Sequence, residues 1–192
     1  MSTSAQALKA WEAKHEKKAD EAIEIKMCAN NPLITKMDNS LSALKNCEVL
    51  SLSTNAIDRI TGLNGMSKLR ILSLGRNNLK KIEKLDDVAE TIEQLWISYN
   101  EISSLDGLSG CVNLTTLFCS RNSIKSFSEL EKIACLTKLK DVLFLGNPMY
   151  ENLTKAEARI EVLKRLPNVT KIDGELVKPD EREAASGNAD DE

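Results

Sequence analysis

One mixed polar and apolar pattern recurs five times along this chain of 192 residues, and it restricts the fold more than any other feature. The pattern reads L-x-x-L-x-L-x-x-N-x-L-x-x-I, and the copy that begins at Leu69 carries Asn77 in its polar slot. The copies begin at Cys47, Leu69, Ile92, Leu114 and Leu139, so successive starts lie 22, 23, 22 and 25 residues apart. A sustained period of this length indicates stacked structural repeats.

Each part of the repeat has a physical role. The alternating L-x-L segment predicts a short strand with its leucines on one side, and stacked strands make a parallel sheet. An asparagine holds the same slot in every copy, where its amide can pair with backbone groups that the strand leaves unpaired. These asparagines are Asn55, Asn77, Asn100, Asn122 and Asn147. The predicted fold is therefore α/β, a leucine-rich-repeat solenoid, which is a right-handed βα superhelix with a short parallel sheet and helical caps.

The first 150 residues divide into a cap and a repeat array. Residues 1–22 predict an N-terminal helical cap, in which Ser4 is the candidate helix-capping residue. Residues 23–150 hold about six leucine-rich repeats. The first repeat is degenerate, because either Asn30 or Asn31 could fill its asparagine slot.

The remaining residues predict a second cap and a tail. Residues 151–178 predict a C-terminal cap, and its helix begins at a capping box formed by Thr154 and Glu157. Residues 179–192 are polar and acidic, which predicts a flexible tail.

Charge and hydropathy exclude several classes of partner. The formal net charge is −3, which argues against bulk electrostatic attachment to nucleic acid or to an anionic membrane. No apolar run approaches the roughly 20 residues that cross a bilayer. We therefore expect neither nucleic acid nor a membrane as partner.

Catalytic and metal-binding groups are scarce. His15 is the only histidine, which removes mechanisms and metal sites built on several histidines. The five cysteines include no C-x-x-C pair, and Cys47, Cys111 and Cys119 occupy apolar slots of the repeat. An odd number of cysteines favours free thiols in a reducing compartment. No phosphate-binding or nucleophile motif is present, so we expect no catalytic residue, no metal, no cofactor and no enzyme.

The strand positions that point away from the core, onto the concave face of the solenoid, are unusually apolar. Exposed sheet positions are normally polar. An apolar centre with aromatic residues and an arginine rim is typical of a protein–protein interface. The alternative is that β-branched and aromatic residues simply favour strands. The candidate partner-binding residues are Val49, Ile71, Trp96, Phe118, Leu143 and Leu145, with Arg76, Tyr99 and Arg121 at the rim.

A second candidate surface is basic, although the chain as a whole is acidic. Its cations are Lys155, Arg159, Lys164, Arg165 and Lys171, and Arg182 can join them. An acidic partner would fit such a surface. The alternative is a solvated helix face whose cations favour the C-terminal end of the helix.

Four sequence strings resemble one family. They are LSLSTN at 50–55, LRILSLGRNNLKKIE at 69–83, LWISYN at 95–100 and EVLKRLPNVTKIDG at 161–174. Over about residues 5–183 the chain is similar to the leucine-rich-repeat light chains of axonemal outer-arm dynein. The repeat length and the C-terminal cap are shared more widely, with the Sds22-type regulators of protein phosphatase 1 and with the U2 small nuclear ribonucleoprotein A-prime protein.

The resemblance implies a non-catalytic regulatory subunit in the cytoplasm, at the axoneme of cilia and flagella. Its implied partner is a dynein heavy chain, bound at the microtubule-binding end of the motor stalk and close to tubulin. In the family the apolar sheet face contacts the heavy chain, which corresponds here to the face that carries Trp96 and Phe118. The family's C-terminal segment projects toward the motor or the microtubule, and Arg182 in the string DERE matches it.

We call Lys155, Arg159, Lys164, Arg165, Lys171 and Arg182 the basic group. This group is the candidate contact with tubulin, whose outer surface is acidic. Outside the complex we expect a monomer. The alternative function is that of an Sds22-type phosphatase regulator or another leucine-rich-repeat scaffold.

Overall fold

The main sheet of the protein follows the repeats. The structure is a computed structural model that describes residues 2–187. Its strands are β1 (Ser2–Thr3), β2 (Glu24–Lys26), β3 (Ile34–Lys36), β4 (Val49–Ser51), β5 (Ile71–Ser73), β6 (Gln94–Trp96), β7 (Thr116–Phe118), β8 (Asp141–Leu143), β9 (Lys171–Ile172) and β10 (Glu175–Leu176). Eight of them form one sheet in the order β10-β9-β8-β7-β6-β5-β4-β2, whereas β1 pairs only with β3. Every neighbouring pair in the main sheet is parallel except β9 and β10, which confirms the predicted parallel sheet.

Helices close the two ends, and short helical turns return the chain between strands. The α-helices are α1 (Ser4–His15), α2 (Lys155–Arg165) and α3 (Pro179–Ser186). The 3₁₀ helices are Ala19–Glu21, Asn39–Ala43, Asp86–Val88, Phe127–Ile133 and Pro148–Tyr150. Within the described part of the chain, no helix has the length and apolar character needed to cross a bilayer.

The core lies behind the sheet, and the middle residue of each of β4, β5, β6 and β7 contributes to it. Leu50, Leu72, Leu95 and Leu117 are in direct register on neighbouring strands, and each is fully buried. Burying a leucine contributes about 1.5–3 kcal/mol, so this repeated column is a principal source of stability. The residues on either side of each leucine point the opposite way, and this alternation creates the concave face.

The asparagines of successive repeats form a ladder of hydrogen bonds through the interior. Asn100 is buried, and its Nδ2 donates to the Leu74 carbonyl at 3.0 Å and to the Ile97 carbonyl at 2.9 Å. Its Oδ1 accepts a hydrogen bond from the Leu79 amide at 3.0 Å. Asn100 therefore joins its own coil to the preceding coil. The same pattern recurs at Asn55, Asn77, Asn122 and Asn147.

Replacing Asn100 with alanine is expected to lower the free energy of unfolding by about 1–3 kcal/mol, because two carbonyls and one amide lose their partner in the interior. Asn78 is exposed in the neighbouring repeat, so Asn78→Ala is a control with an expected change within about 0.5 kcal/mol. Urea denaturation followed by circular dichroism measures both. Equal midpoints for the two variants would contradict the structural role of the ladder.

The N-terminal cap differs in one detail from the sequence prediction. The capping residue of α1 is Thr3, whose side chain pairs reciprocally with Gln6, whereas Ser4 lies inside the helix and is buried. The Ser4 hydroxyl accepts a hydrogen bond from the Asp38 amide at 2.9 Å, so tertiary packing takes it away from a capping role.

The degenerate first repeat has a defined register in the structure. The Ala29 amide donates to the Ser53 carbonyl, as the Thr54 amide donates to the Gly75 carbonyl one coil later. Ala29 and Thr54 also share a positive φ. Asn30 therefore occupies the asparagine slot of the first coil.

The C-terminal cap begins as predicted, because Thr154 and Glu157 form the capping box of α2. After the β9–β10 hairpin, however, the chain forms α3 where the sequence predicts a flexible tail. Two contacts hold α3 against α2 and the loop that follows it. Arg159 pairs with Glu181, and the Arg182 guanidinium donates to two backbone carbonyls at 2.7 Å each. The last five residues of the predicted tail lie outside the described part.

Candidate protein-binding surface

An aromatic stack occupies the middle of the concave face. Trp96 at the end of β6 and Phe118 at the end of β7 are direct neighbours in the strand register. Their ring centroids are 5.8 Å apart, and the ring planes differ by 23°. Trp96 is 38% exposed and Phe118 is half-buried, so neither side chain belongs to the core. A water-exposed aromatic pair on a regular sheet is a feature of binding surfaces.

Other apolar side chains lie on the same face as the stack. Leu143 continues the row of Trp96 and Phe118, whereas Ile71 and Val49 lie beside each other in the neighbouring row, in which Ile71 is in register with Gln94. Val49, Ile71 and Leu143 are half-buried, and Leu145 just beyond β8 is 55% exposed. We call these four residues together with Trp96 and Phe118 the apolar patch. The structure therefore brings the six predicted apolar residues together on one face.

The predicted rim residues also come together, at the edge where the strands end. The guanidinium carbon of Arg76 lies 4.3 Å from the centroid of the Tyr99 ring, and that of Arg121 lies 5.3 Å from it. Tyr99 is 41% exposed, and both arginines are exposed. We call Arg76, Tyr99 and Arg121 the arginine–tyrosine edge. Cations above a tyrosine ring are attracted by its π electrons, so the three side chains orient one another.

The backbone at this edge is in a conformation that favours glycine. Arg76, Tyr99 and Arg121 have φ values of 56°, 60° and 50°, and each stands just before a ladder asparagine. A left-handed conformation costs a non-glycine residue about 1–2 kcal/mol. The corresponding slot of the last repeat is Gly146, where a Cβ atom would lie 2.9 Å from Cγ of Arg121. Gly146 therefore leaves the space in which the Arg121 side chain lies.

Paired hydroxyls lie on the concave face beside the apolar patch. Ser98 and Ser120 are hydrogen bonded through their hydroxyl oxygens at 2.9 Å, and Ser53 and Ser73 are joined in the same way at 2.7 Å. The sequence places these serines on the concave face, but their pairing depends on the distance between adjacent strands. The two hydroxyls of each pair hydrogen bond to each other. The aromatic and guanidinium groups of this face are therefore the side chains available to contact a partner.

The second predicted surface, the basic group, is largely occupied by internal contacts. Arg159 is only 3% exposed, which contradicts its predicted place on a basic surface. Its Nη2 lies 2.9 Å from Oε2 of Glu181, and its other donors reach the carbonyls of Ile172 and Leu176. Arg159 is therefore a structural residue that joins α2 to the hairpin and to α3.

The remaining cations of the basic group also have internal partners. Lys164 and Arg165 pair with Glu161, Lys171 pairs with Asp141, and Lys155 pairs with Glu175. Residues 155–186 contain seven lysines and arginines and seven aspartates and glutamates. The basic surface predicted from the sequence is thus neutralised by acidic residues of the same cap and of β8.

The cysteines divide between core and surface. Cys47, Cys111 and Cys119 are buried, as predicted, and burial raises the pKa of the Cys47 thiol to about 11 and that of Cys119 to about 12. These thiols are therefore protonated and unreactive at neutral pH. Cys28 and Cys135 are exposed. Within residues 2–187 no group of three or more histidine, cysteine, aspartate or glutamate side chains is arranged to hold a metal ion.

The stacked coils, the asparagine ladder and the exposed sheet face define a leucine-rich-repeat protein, a class that is generally non-catalytic. The family model "Leucine Rich repeats (2 copies)" matches residues 90–132. Curated relatives named dynein axonemal light chain 1 match almost the whole chain. The relative from Chlamydomonas reinhardtii is 56% identical over 184 residues, which cover 94% of this chain and 93% of the relative. The human relative is 54% identical over 180 residues, which cover 93% of this chain and 95% of the relative.

The chain belongs to the axonemal dynein light chain 1 family. Its role is that of a dynein light chain, and its place is the axoneme of cilia and flagella.

Solved structures support the fold. A structure of the SNF/U2A′ complex from Drosophila melanogaster includes a chain that is 25% identical, with a TM-score of 0.58 and coverage of 68% of this chain and 75% of that one. A leucine-rich-repeat protein of Leptospira interrogans is 19% identical with a TM-score of 0.65, and the match covers 79% of this chain and 37% of that protein. Both are leucine-rich-repeat folds, as predicted for this chain.

Proposed function

We propose that this light chain is a non-catalytic regulatory subunit of outer-arm dynein. It binds the heavy-chain motor region, at the microtubule-binding end of the stalk, through the concave face. The observation that carries the proposal is the exposed Trp96–Phe118 stack at the centre of the apolar patch. Partner-facing aromatic residues of this kind dominate the energetics of protein interfaces.

The area of the apolar patch suits one helix or one extended segment of the heavy chain. Adjacent strands are about 4.8 Å apart, so five or six of them give a face of about 20–25 Å, or about four helical turns. Six such side chains can lose about 500 Å² to a partner, which is worth about 12 kcal/mol before the costs of association. Those costs are about 4–15 kcal/mol, so polar contacts at the rim must add to the affinity.

Proximity to tubulin follows, in this proposal, from the position of the light chain on the stalk. The C-terminal cap offers little excess positive charge, since its cations are paired with carboxylates. Lys155, Lys164 and Lys171 keep side-chain exposures of 58%, 46% and 39% and are the cations of the basic group best placed for a weak, salt-sensitive contact with tubulin. The heavy chain supplies the main link to the microtubule.

Copurification tests this function against the alternative of a phosphatase regulator. Tagged light chain is expressed in ciliated cells, and the largest bound chain is identified after extraction of the axonemes. An outer-arm heavy chain is the expected result, and the complex should sediment with microtubules more than the free light chain does. A phosphatase catalytic subunit as the main partner, with no heavy chain, would overturn the proposal.

A further inference from the structure

Two arginines at the arginine–tyrosine edge differ from every other arginine of the chain. The chain has seven arginines. Those with internal partners are Arg59, Arg70, Arg159, Arg165 and Arg182, which meet carboxylates or backbone carbonyls. Among residues 2–187, Arg76 and Arg121 meet only the Tyr99 ring. The two arginines whose side chains make neither a hydrogen bond nor an ion pair within residues 2–187 therefore lie side by side, next to the apolar patch.

Stacking on Tyr99 leaves the hydrogen-bond donors of both guanidinium groups available. Each guanidinium carries five N–H donors, and none of those of Arg76 or Arg121 has a hydrogen-bond acceptor within residues 2–187. Tyr99 thus holds Arg76 and Arg121 in place without using their donors. Such pre-organisation lowers the entropy lost when a ligand binds.

The three residues of the arginine–tyrosine edge occupy a backbone conformation that favours glycine. All three residues of the edge have positive φ, and Gly146 in the equivalent slot of the next coil gives Arg121 its space. In an acidic protein with a net charge of −3, the edge is a local concentration of unneutralised positive charge. Its chemical complement is a pair of carboxylates, which arginine binds through two parallel hydrogen bonds.

We propose that the arginine–tyrosine edge binds two acidic side chains of the heavy-chain segment whose apolar residues cover Trp96 and Phe118. This inference rests on the proposed function and specifies the chemistry of the partner segment. Both guanidinium carbons lie near one ring centroid, at 4.3 and 5.3 Å, so they are about 10 Å apart or less. Acidic residues one helical turn apart have Cβ atoms about 5–6 Å from each other and flexible side chains that span this distance. The segment therefore carries an acidic pair beside an apolar face.

The experiment measures the affinity of the full-length light chain for the recombinant microtubule-binding stalk end of an outer-arm heavy chain. The double variant Arg76→Glu, Arg121→Glu should bind about 100-fold more weakly, because attraction is replaced by repulsion. The double variant Arg76→Lys, Arg121→Lys should lose about 10-fold, since lysine keeps the charge without the planar fork. Raising the salt concentration should weaken the wild type more than the glutamate variant.

A control with the same change in net charge separates local from global effects. Arg59 and Lys80 are exposed and make surface ion pairs with Glu83 and Glu101. The double variant Arg59→Glu, Lys80→Glu should bind within about 3-fold of the wild type. Unchanged thermal midpoints by circular dichroism establish that all variants fold.

Each outcome bears on a different statement. If the Arg76→Glu, Arg121→Glu variant binds like the control while Trp96→Ala, Phe118→Ala abolishes binding, the heavy chain occupies the concave face but the acidic-pair inference is wrong. If the wild-type light chain does not bind the heavy-chain stalk end, the proposed function itself fails. Restoration of binding to the glutamate variant by an Asp→Lys or Glu→Lys change in the heavy chain would support the inference and locate the acidic pair.

Discussion

Replacing Trp96 and Phe118 together with alanine is expected to weaken heavy-chain binding by at least about 3 kcal/mol, or roughly 150-fold. The two rings form the stacked centre of the apolar patch, and Trp96 is its largest side chain. Because both rings project from the sheet and not into the core, the free energy of unfolding should change by about 1 kcal/mol or less. Titration calorimetry with the purified heavy-chain stalk end and urea denaturation measure the two quantities.

Val112 and Leu176 provide a matched control, since they are apolar, 52% and 72% exposed, and lie outside strands β4 to β8. The double variant Val112→Ala, Leu176→Ala should bind the heavy chain like the wild type. Undiminished binding by the Trp96→Ala, Phe118→Ala variant would place the interface elsewhere on the light chain. Loss of folding in that variant would instead show that the rings support the core.

Replacing Arg159 with methionine is expected to lower the free energy of unfolding by about 3 kcal/mol. Arg159 is buried, and its loss leaves the Glu181 carboxylate and the carbonyls of Ile172 and Leu176 without their donor. Removing one member of a buried ion pair typically costs 3–5 kcal/mol. Urea denaturation gives the loss of stability, and limited proteolysis after residue 176 reports whether α3 has detached.

An exposed ion pair on the same helix is the control for this prediction. Lys155 and Glu175 lie in an ion pair with side-chain exposures of 58% and 60%, so Lys155→Met should cost less than about 1 kcal/mol. Equal denaturation midpoints for Arg159→Met and Lys155→Met would contradict the importance of the buried pair.

The stability that the Arg159–Glu181 ion pair contributes depends on pH. Hydrogen bonding to Arg159 lowers the pKa of Glu181 to about 2, below the ordinary value of 4.5. A lowered carboxyl pKa adds stability that is fully present above pH 4.5 and is lost as the pH falls toward 2. The difference in stability between wild type and Arg159→Met should therefore shrink over that acidic range.

The repeat pattern was sufficient to predict the fold and the location of the candidate surface. Leu50, Leu72 and the other strand leucines lie in register in the core because the period of two in each strand fixes which side chains share a face. The same rule places Trp96 and Phe118 beside each other on the opposite face. The left-handed slot before each ladder asparagine is equally periodic, so Arg76, Tyr99 and Arg121 had to be neighbours along one edge.

The two ends of the solenoid were harder to predict, because they depart from the repeat. The Ser4 hydroxyl accepts a hydrogen bond from the Asp38 amide, and Thr3 is therefore the capping residue of α1. The α3 sequence has a polar composition that resembles a tail, and none of its side chains is buried. The contacts of Arg159 with Glu181 and of Arg182 with the loop after α2 stabilise α3, and a pattern read along the chain does not contain such contacts.

The sequence by itself determined the stacking of the coils, the side of each strand on which a repeat residue lies and the identity of the residues on the concave face, since these depend on local periodicity. Only the tertiary structure decided which charges are available to a partner. Arg159 is buried against Glu181, whereas the guanidinium carbon of Arg121 lies 5.3 Å from the Tyr99 ring centroid and its side chain is exposed. Charge pairing depends on distances between residues of different coils, such as the 22 positions that separate Arg159 from Glu181, and those distances exist only after the chain has folded.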